Sequence, residues 1–136
     1  MATIKISDLS VGDWVGVRCG TKINAFKVEE IRFNNIIHKY VALLNNKSYG
    51  LPTTELHPIP ITAEILEANG FVKNGEYDEW NIGNWNDIPF IGISLSRQSM
   101  RIKNLRTDIF LENKVVYVHQ LQCALRLAGV DKKINL

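Results

Sequence analysis

The first half of the chain alternates apolar and polar positions, and the second half switches twice to a helical spacing. Ile4 and Ile6 lead into a turn over residues 7–10, and Val15 and Val17 flank Gly16 behind the turn pair Gly12-Asp13. Over residues 25–31 the apolar positions fall on both parities, Phe26 and Val28 on one and Ile31 on the other. No helix cap precedes them, which favours a strand. Asn34-Asn35 marks a turn, Ile36-Ile37 and residues 40–44 are β-rich runs, and Asn45-Asn46-Lys47 turns the chain again. Residues 49–51 and 55–56 read as short edge pieces. So many short strands with tight turns suggest a small barrel of the SH3-like kind or a curled antiparallel sheet.

Pro58-Ile59-Pro60-Ile61 forces extended backbone and withholds two ladder donors, which makes it the best internal boundary. It divides the chain into a β-rich lobe, 1–60, and a lobe of helix, strands and helix, 61–136, expected to form one compact unit. Thr62 stands where a helix N-cap belongs, with Glu64 in the first turn. Ile61 and Leu66 have staple spacing, Ile65, Leu66 and Ala68 form the apolar face, and Asn69-Gly70 stops the helix. Strands follow at 71–72, 77–82, 90–95, 100–102 and 108–112, with Asn74-Gly75 as a hairpin signal. Apolar parity changes between Ile91, Ile93, Leu95 and Met100, Ile102, so a turn or bulge is expected at 96–99. From about Val118 the period becomes helical: Val118, Leu121, Leu125 and Ala128 share a stripe beside Ala124, and Gly129 is a fitting stop. Residues 130–136 form a tail in which Ile134 and Leu136 alternate as in an edge strand. The fold class is α+β, two helices against a small antiparallel sheet in the second half.

Composition changes this picture little. Of the 136 residues 46% are hydrophobic and 22% charged, and the net charge of +2 gives no general pull toward polyanions. No run approaches the roughly 18 apolar residues of a membrane helix, and residues 1–10 lack a secretory core. Cys19 and Cys123 are far apart in sequence and read as free thiols.

Several blocks are distinctive: the Leu9, Gly12-Asp13-Trp14-Val15 start, Pro58-Ile59-Pro60-Ile61-Thr62, Ile65-Leu66 with Asn69-Gly70-Phe71, and Tyr117-Val118-His119-Gln120-Leu121-Gln122. Together they resemble a group of small proteins of Bacteroidota genomes, phages and mobile elements. The resemblance implies a phage or mobile-element accessory protein in the bacterial host cytoplasm, or a virion component. It implies no catalytic residue.

Candidate chemistry is sparse. Residues 94–106 contain Arg97, Arg101, Lys103 and Arg106 and no acid, a ribbon suited to the phosphates of a nucleotide or nucleic acid. Glu76, Asp78, Glu79 and Asp87 precede it and could neutralise it across a sheet. Trp85, in a loop, could stack a base, whereas Trp80 and Trp14 read as packing residues. His119 sits at a strand-to-helix junction, suited to phosphate, metal or base chemistry or to satisfying a backbone carbonyl. Gln120 and Gln122 could read a polar ligand edge or be solvated. His119 and Cys123 are i, i+4 neighbours, but no glycine-rich donor loop accompanies them, and no metal-ligand spacing, phosphate loop or nucleophile elbow occurs. The expectation is therefore a non-enzymatic binding protein without metal or cofactor. If it takes a ligand, the expected surface is Trp85, Arg97, Arg101, Lys103, Arg106 and His119. The alternatives are a binder of a phosphorylated nucleotide or nucleic acid acting against host defence, and a homo-oligomeric virion or assembly component.

Overall fold

A computed structural model describes residues 4–45, 50–74, 79–83, 89–105, 108–112 and 117–136. The fold is α+β, with a curled N-terminal antiparallel sheet, a second five-stranded antiparallel sheet and two α-helices. The chain divides into two compact units, Met1–Ile59 and Pro60–Leu136. The turns expected at Asn46-Lys47 and Asn74-Gly75 involve residues outside the described ones.

In the first unit, strands β1 (Trp14–Cys19), β2 (Lys22–Asn34), β3 (Lys39–Leu44) and β4 (Gly50–Pro52) pair in sequence order. A 3-10 turn, Thr53–Glu55, follows β4 and returns the chain to β1. There His57 and Gly16 exchange two backbone hydrogen bonds, of 2.7 and 2.8 Å. One bridge thus joins the two ends of the curled sheet.

The mixed parity of residues 25–31 has a simple cause. The β2–β3 register shifts between Val28 and Glu30. A bulge moves the inward set by one residue and bends the strand. Phe26 and Val28 face inward before it, and Ile31 does so after it, packed against the buried cluster of Val15, Val17, Val28, Ala42, Leu44 and Leu56. Asn45 secures the bulge: its Oδ1 accepts from the Lys27 N–H at 2.6 Å and its own N–H donates to the Lys27 carbonyl at 3.0 Å. Asp13, completely buried, accepts from the Ser10 N–H at 2.8 Å and fixes the turn before β1.

Ile36-Ile37 is not part of a strand. Residues 35–38 form the four-residue turn between β2 and β3, and Asn34 Oδ1 accepts from the N–H groups of both isoleucines, at 2.9 and 3.2 Å. The local side-chain acceptor outcompetes the β propensity of two branched residues.

In the second unit, β5 (Val72–Asn74), β6 (Glu79–Ile82), β7 (Phe90–Ser94), β8 (Ser99–Lys103) and β9 (Asp108–Leu111) also pair in order. The parity switch between Ile93 and Met100 is a four-residue turn over 95–98, since Ile93 pairs with Met100 and Ile91 with Ile102. These four side chains are at most 1% exposed, each contributing roughly 1.5–3 kcal/mol by burial. Helices α1 (Ala63–Ala68) and α2 (Val118–Leu127) supply matching apolar faces, with Leu66, Val118, Leu121 and Leu125 equally buried.

Both helices are bounded as their sequences suggest. Thr62 Oγ1 accepts from the Ile65 N–H at 3.2 Å. Phe71 N–H reaches the Leu66 carbonyl at 3.0 Å and Gly70 N–H the Glu67 carbonyl at 3.1 Å, with Gly70 at φ +86°. Val130 to Leu125, at 2.9 Å, and Gly129 to Arg126, at 3.0 Å, repeat this pattern at the end of α2. Each is a Schellman closure that needs a left-handed residue after the cap. At the other end of α2, Gln120 Oε1 accepts from the Tyr117 N–H at 3.0 Å.

The tail does not add a strand. Instead, Asn69, only 6% exposed, grips it: Nδ2 donates to the Asn135 carbonyl at 2.9 Å and to the Ile65 carbonyl at 2.8 Å, and Oδ1 accepts from the Asn135 N–H at 2.7 Å. Ile134 beside it is buried. Asn69→Ala is expected to cost about 2–3 kcal/mol in urea unfolding, because buried peptide groups lose their partners. Carboxypeptidase should also trim the tail faster. An unchanged midpoint and unchanged trimming would show that the tail does not depend on this amide. Gly129→Ala meets no clash within 3.8 Å, so its cost is conformational, expected near 1 kcal/mol by the same measurement.

Candidate functional site

Two surfaces come forward, one in each unit. The first is the outer face of the five-stranded sheet, where the basic ribbon lies. Arg101 and Lys103 project from β8 on the face opposite Met100 and Ile102. Asp108 on β9 lies opposite Lys103 in the register and diagonal to Arg101. It takes Arg101 in a two-pronged pair: Nε donates to Oδ1 at 2.9 Å and Nη2 to Oδ2 at 2.7 Å. This hydrogen bonding holds the Asp108 carboxyl below the usual carboxylate range and raises the Arg101 guanidinium. Glu79, on β6, adds a further field that favours the charged arginine. Its carboxylate reaches over Gly92, where a Cβ would come within 2.7 Å of Oε1. The sheet thus brings acids from both sides toward the central cation.

Arg97 stands apart, exposed in the turn over 95–98 at the far end of β8 from Lys103. Its N–H donates to Ser94 Oγ at 3.3 Å. His119 is 3% exposed in the first turn of α2, its ring stacked on Tyr117 with centroids 6.0 Å apart. Burial to this extent leaves it no open approach for a solute. Trp85 and Arg106 lie outside the described residues. The structure therefore brings Arg101 and Lys103 together, but does not gather Arg97 or His119 with them. Gln120 is occupied as the cap of α2. Both cysteines are free, Cys19 exposed and Cys123 half-buried. Among the described residues no group of His, Cys, Asp or Glu is arranged as a metal would need, and no helix is long and apolar enough to cross a membrane.

The second surface is the β2–β3 hairpin of the first unit. Phe33 and Tyr40 are cross-strand partners whose rings meet edge to face, centroids 5.2 Å apart and planes at 69°. They continue the inward-facing rows of Ile31 and Ala42 beyond the core, so both stay about half exposed, 47% and 45%. Ile36 at the turn is 89% exposed and Ile37 45%. On the opposite face of the strands the row Arg32, Val41, Pro52 and the next row, Leu43 and Gly50, border a groove of about 510 Å³ closed at one end by the turn. Gly50 leaves the groove open there, since a Cβ would lie 3.3 Å from Val41 Cγ2. Arg32 and Glu30 are 3.6 Å apart at the rim, both largely exposed. Such an exposed pair adds little stability.

Sequence reasoning missed this surface because it assigned the two isoleucines to a strand. A usable signal was present: Asn34-Asn35 and Lys39 frame two branched apolar residues, whereas short turns are usually polar. No protein-family model, curated protein or solved structure matches the chain.

The Arg101–Asp108 pair has a defined pH signature. A depressed folded pKa makes its contribution present above the unfolded carboxylate value, about 3.9, and lost as pH falls through the lower folded value. In Asp108→Asn that acid-side decline should flatten. The same variant should elute from heparin at higher salt, because a neutralised arginine is released. Unchanged elution would mean that the carboxylate does not shield Arg101.

Proposed function

We propose that this chain is a non-enzymatic interaction protein that engages another protein surface through the β2–β3 hairpin. One observation carries the reading. Ile36 and Ile37 hold large apolar area in water at the tip of one hairpin, with an open groove on one face of its strands and the half-exposed Phe33 and Tyr40 rings on the other. Apolar surface grouped in this way costs solubility and marks interaction sites. Aromatic residues are also enriched in protein interfaces. A phage or mobile-element origin is part of the proposal and rests on the sequence blocks alone, as does action in the bacterial cytoplasm.

The capture of a phosphorylated nucleotide or nucleic acid is the weaker reading. Its central cation, Arg101, is already held by Asp108 through both prongs. A phosphate would have to displace a carboxylate in ideal geometry.

Calorimetric titration of linear and cyclic nucleotides and of short nucleic acids into the full chain is expected to give no heat. A photo-crosslinking residue at Tyr40, introduced in expressing cells, should give an adduct of discrete protein mass, and the same residue at Arg97 should not. Saturable nucleotide binding that weakens with salt and with Arg97→Ala or Lys103→Ala would contradict the proposal.

A further inference from the structure

We infer that the occupant of the β2–β3 hairpin surface is a second copy of this chain, joined by a two-fold contact in which the Ile36 tip of each copy enters the groove of the other. This rests on the interaction reading above and names its partner. Projection and recess sit on the same hairpin: Ile36 is 89% exposed, and the groove beside it measures about 510 Å³. A two-fold axis uses both features twice and leaves neither unpaired.

Residues 29–41 carry Glu29 and Glu30 against Arg32 and Lys39, a balanced set. A polyanion or an anionic lipid surface would select an excess of cations here, and the two acids would repel it. A copy of the same hairpin instead offers acid to base in both directions, with Arg32 and Glu30 exposed at the rim.

Ile36 and Ile37 both line the groove and are 89% and 45% exposed, and a two-fold axis brings each into the contact twice. Such a contact lies at the small, transient end of protein interfaces.

Sedimentation equilibrium of the full chain over a wide concentration range tests the inference. The expected result is a monomer–dimer equilibrium. Ile36→Lys should raise the dissociation constant by about a hundredfold or more, because the substitution enters the contact twice. Its thermal melt at low concentration should not change, since Ile36 is almost fully solvated. Leu127→Lys, on an exposed position of α2, should leave the constant unaltered. A chain that stays monomeric at every concentration overturns the inference, as does a dimer that Ile36→Lys leaves intact. A monomer whose Tyr40 crosslinks to a different protein also overturns it while leaving the interaction reading standing. Nucleotide binding without any crosslink removes both.

Discussion

Every buried peptide group must find a hydrogen-bond partner, and two units this small cannot meet that demand with ladders alone. Side-chain amides complete the set. Asn45 pairs both ways with the Lys27 backbone just past the end of β3, next to the bulge between Val28 and Glu30. Asn69 does the same for Asn135 in the tail. Asn104 Nδ2 donates to the Ala128 carbonyl at 3.3 Å, near the Schellman closure of α2. The curled sheet, the docked tail and the stop of the last helix each depend on such an amide standing in for backbone.

The bulge also links fold to surface. It moves the inward row of β2 from Phe26 and Val28 to Ile31 and then Phe33. The strand outruns the core, and its partner β3 runs with it. Phe33 and Tyr40 therefore keep the parity of core residues while lying beyond the core's edge. The pair is worth roughly 0.5–1.5 kcal/mol beyond its burial, enough to hold the rings to one another in water. A hairpin stiffened in this way presents its apolar tip with little ordering left to do on binding. In the other unit, the sheet's outer face moves in the opposite direction, toward neutralisation of its cations by Asp108 and Glu79.

How much of this was legible depended on range. The two helices were readable because their signals are local: Thr62 three residues before Ile65, the stripe from Val118 to Ala128, and Gly70 and Gly129 one step past the caps. The turn at 95–98 was readable from the change of apolar parity. The bulge was visible as a mixed pattern but not as a bulge, because only pairing with β3 distinguishes a parity slip from noise. Ile36-Ile37 was misassigned because propensity favours a strand and a single upstream asparagine overrides it. Asn69 reads as a helix stop, and its grip on Asn135 is set by the fold across 66 positions. Arg101 and Asp108 are seven apart, yet only the β8–β9 register makes them diagonal neighbours. The candidate surface was missed for the same reason: what exposes Phe33 and Tyr40 is the position of the core, a property of the packed sheet.

Amide hydrogen exchange of the full chain, followed by mass spectrometry at low and high protein concentration, tests most directly the claim that two copies of the chain meet at the β2–β3 hairpin. The expected result is concentration-dependent protection confined to peptides spanning residues 32–43 and 50–52, with exchange elsewhere unchanged. Protection that is independent of concentration across 32–41, or that rises instead over residues 99–105, would contradict it.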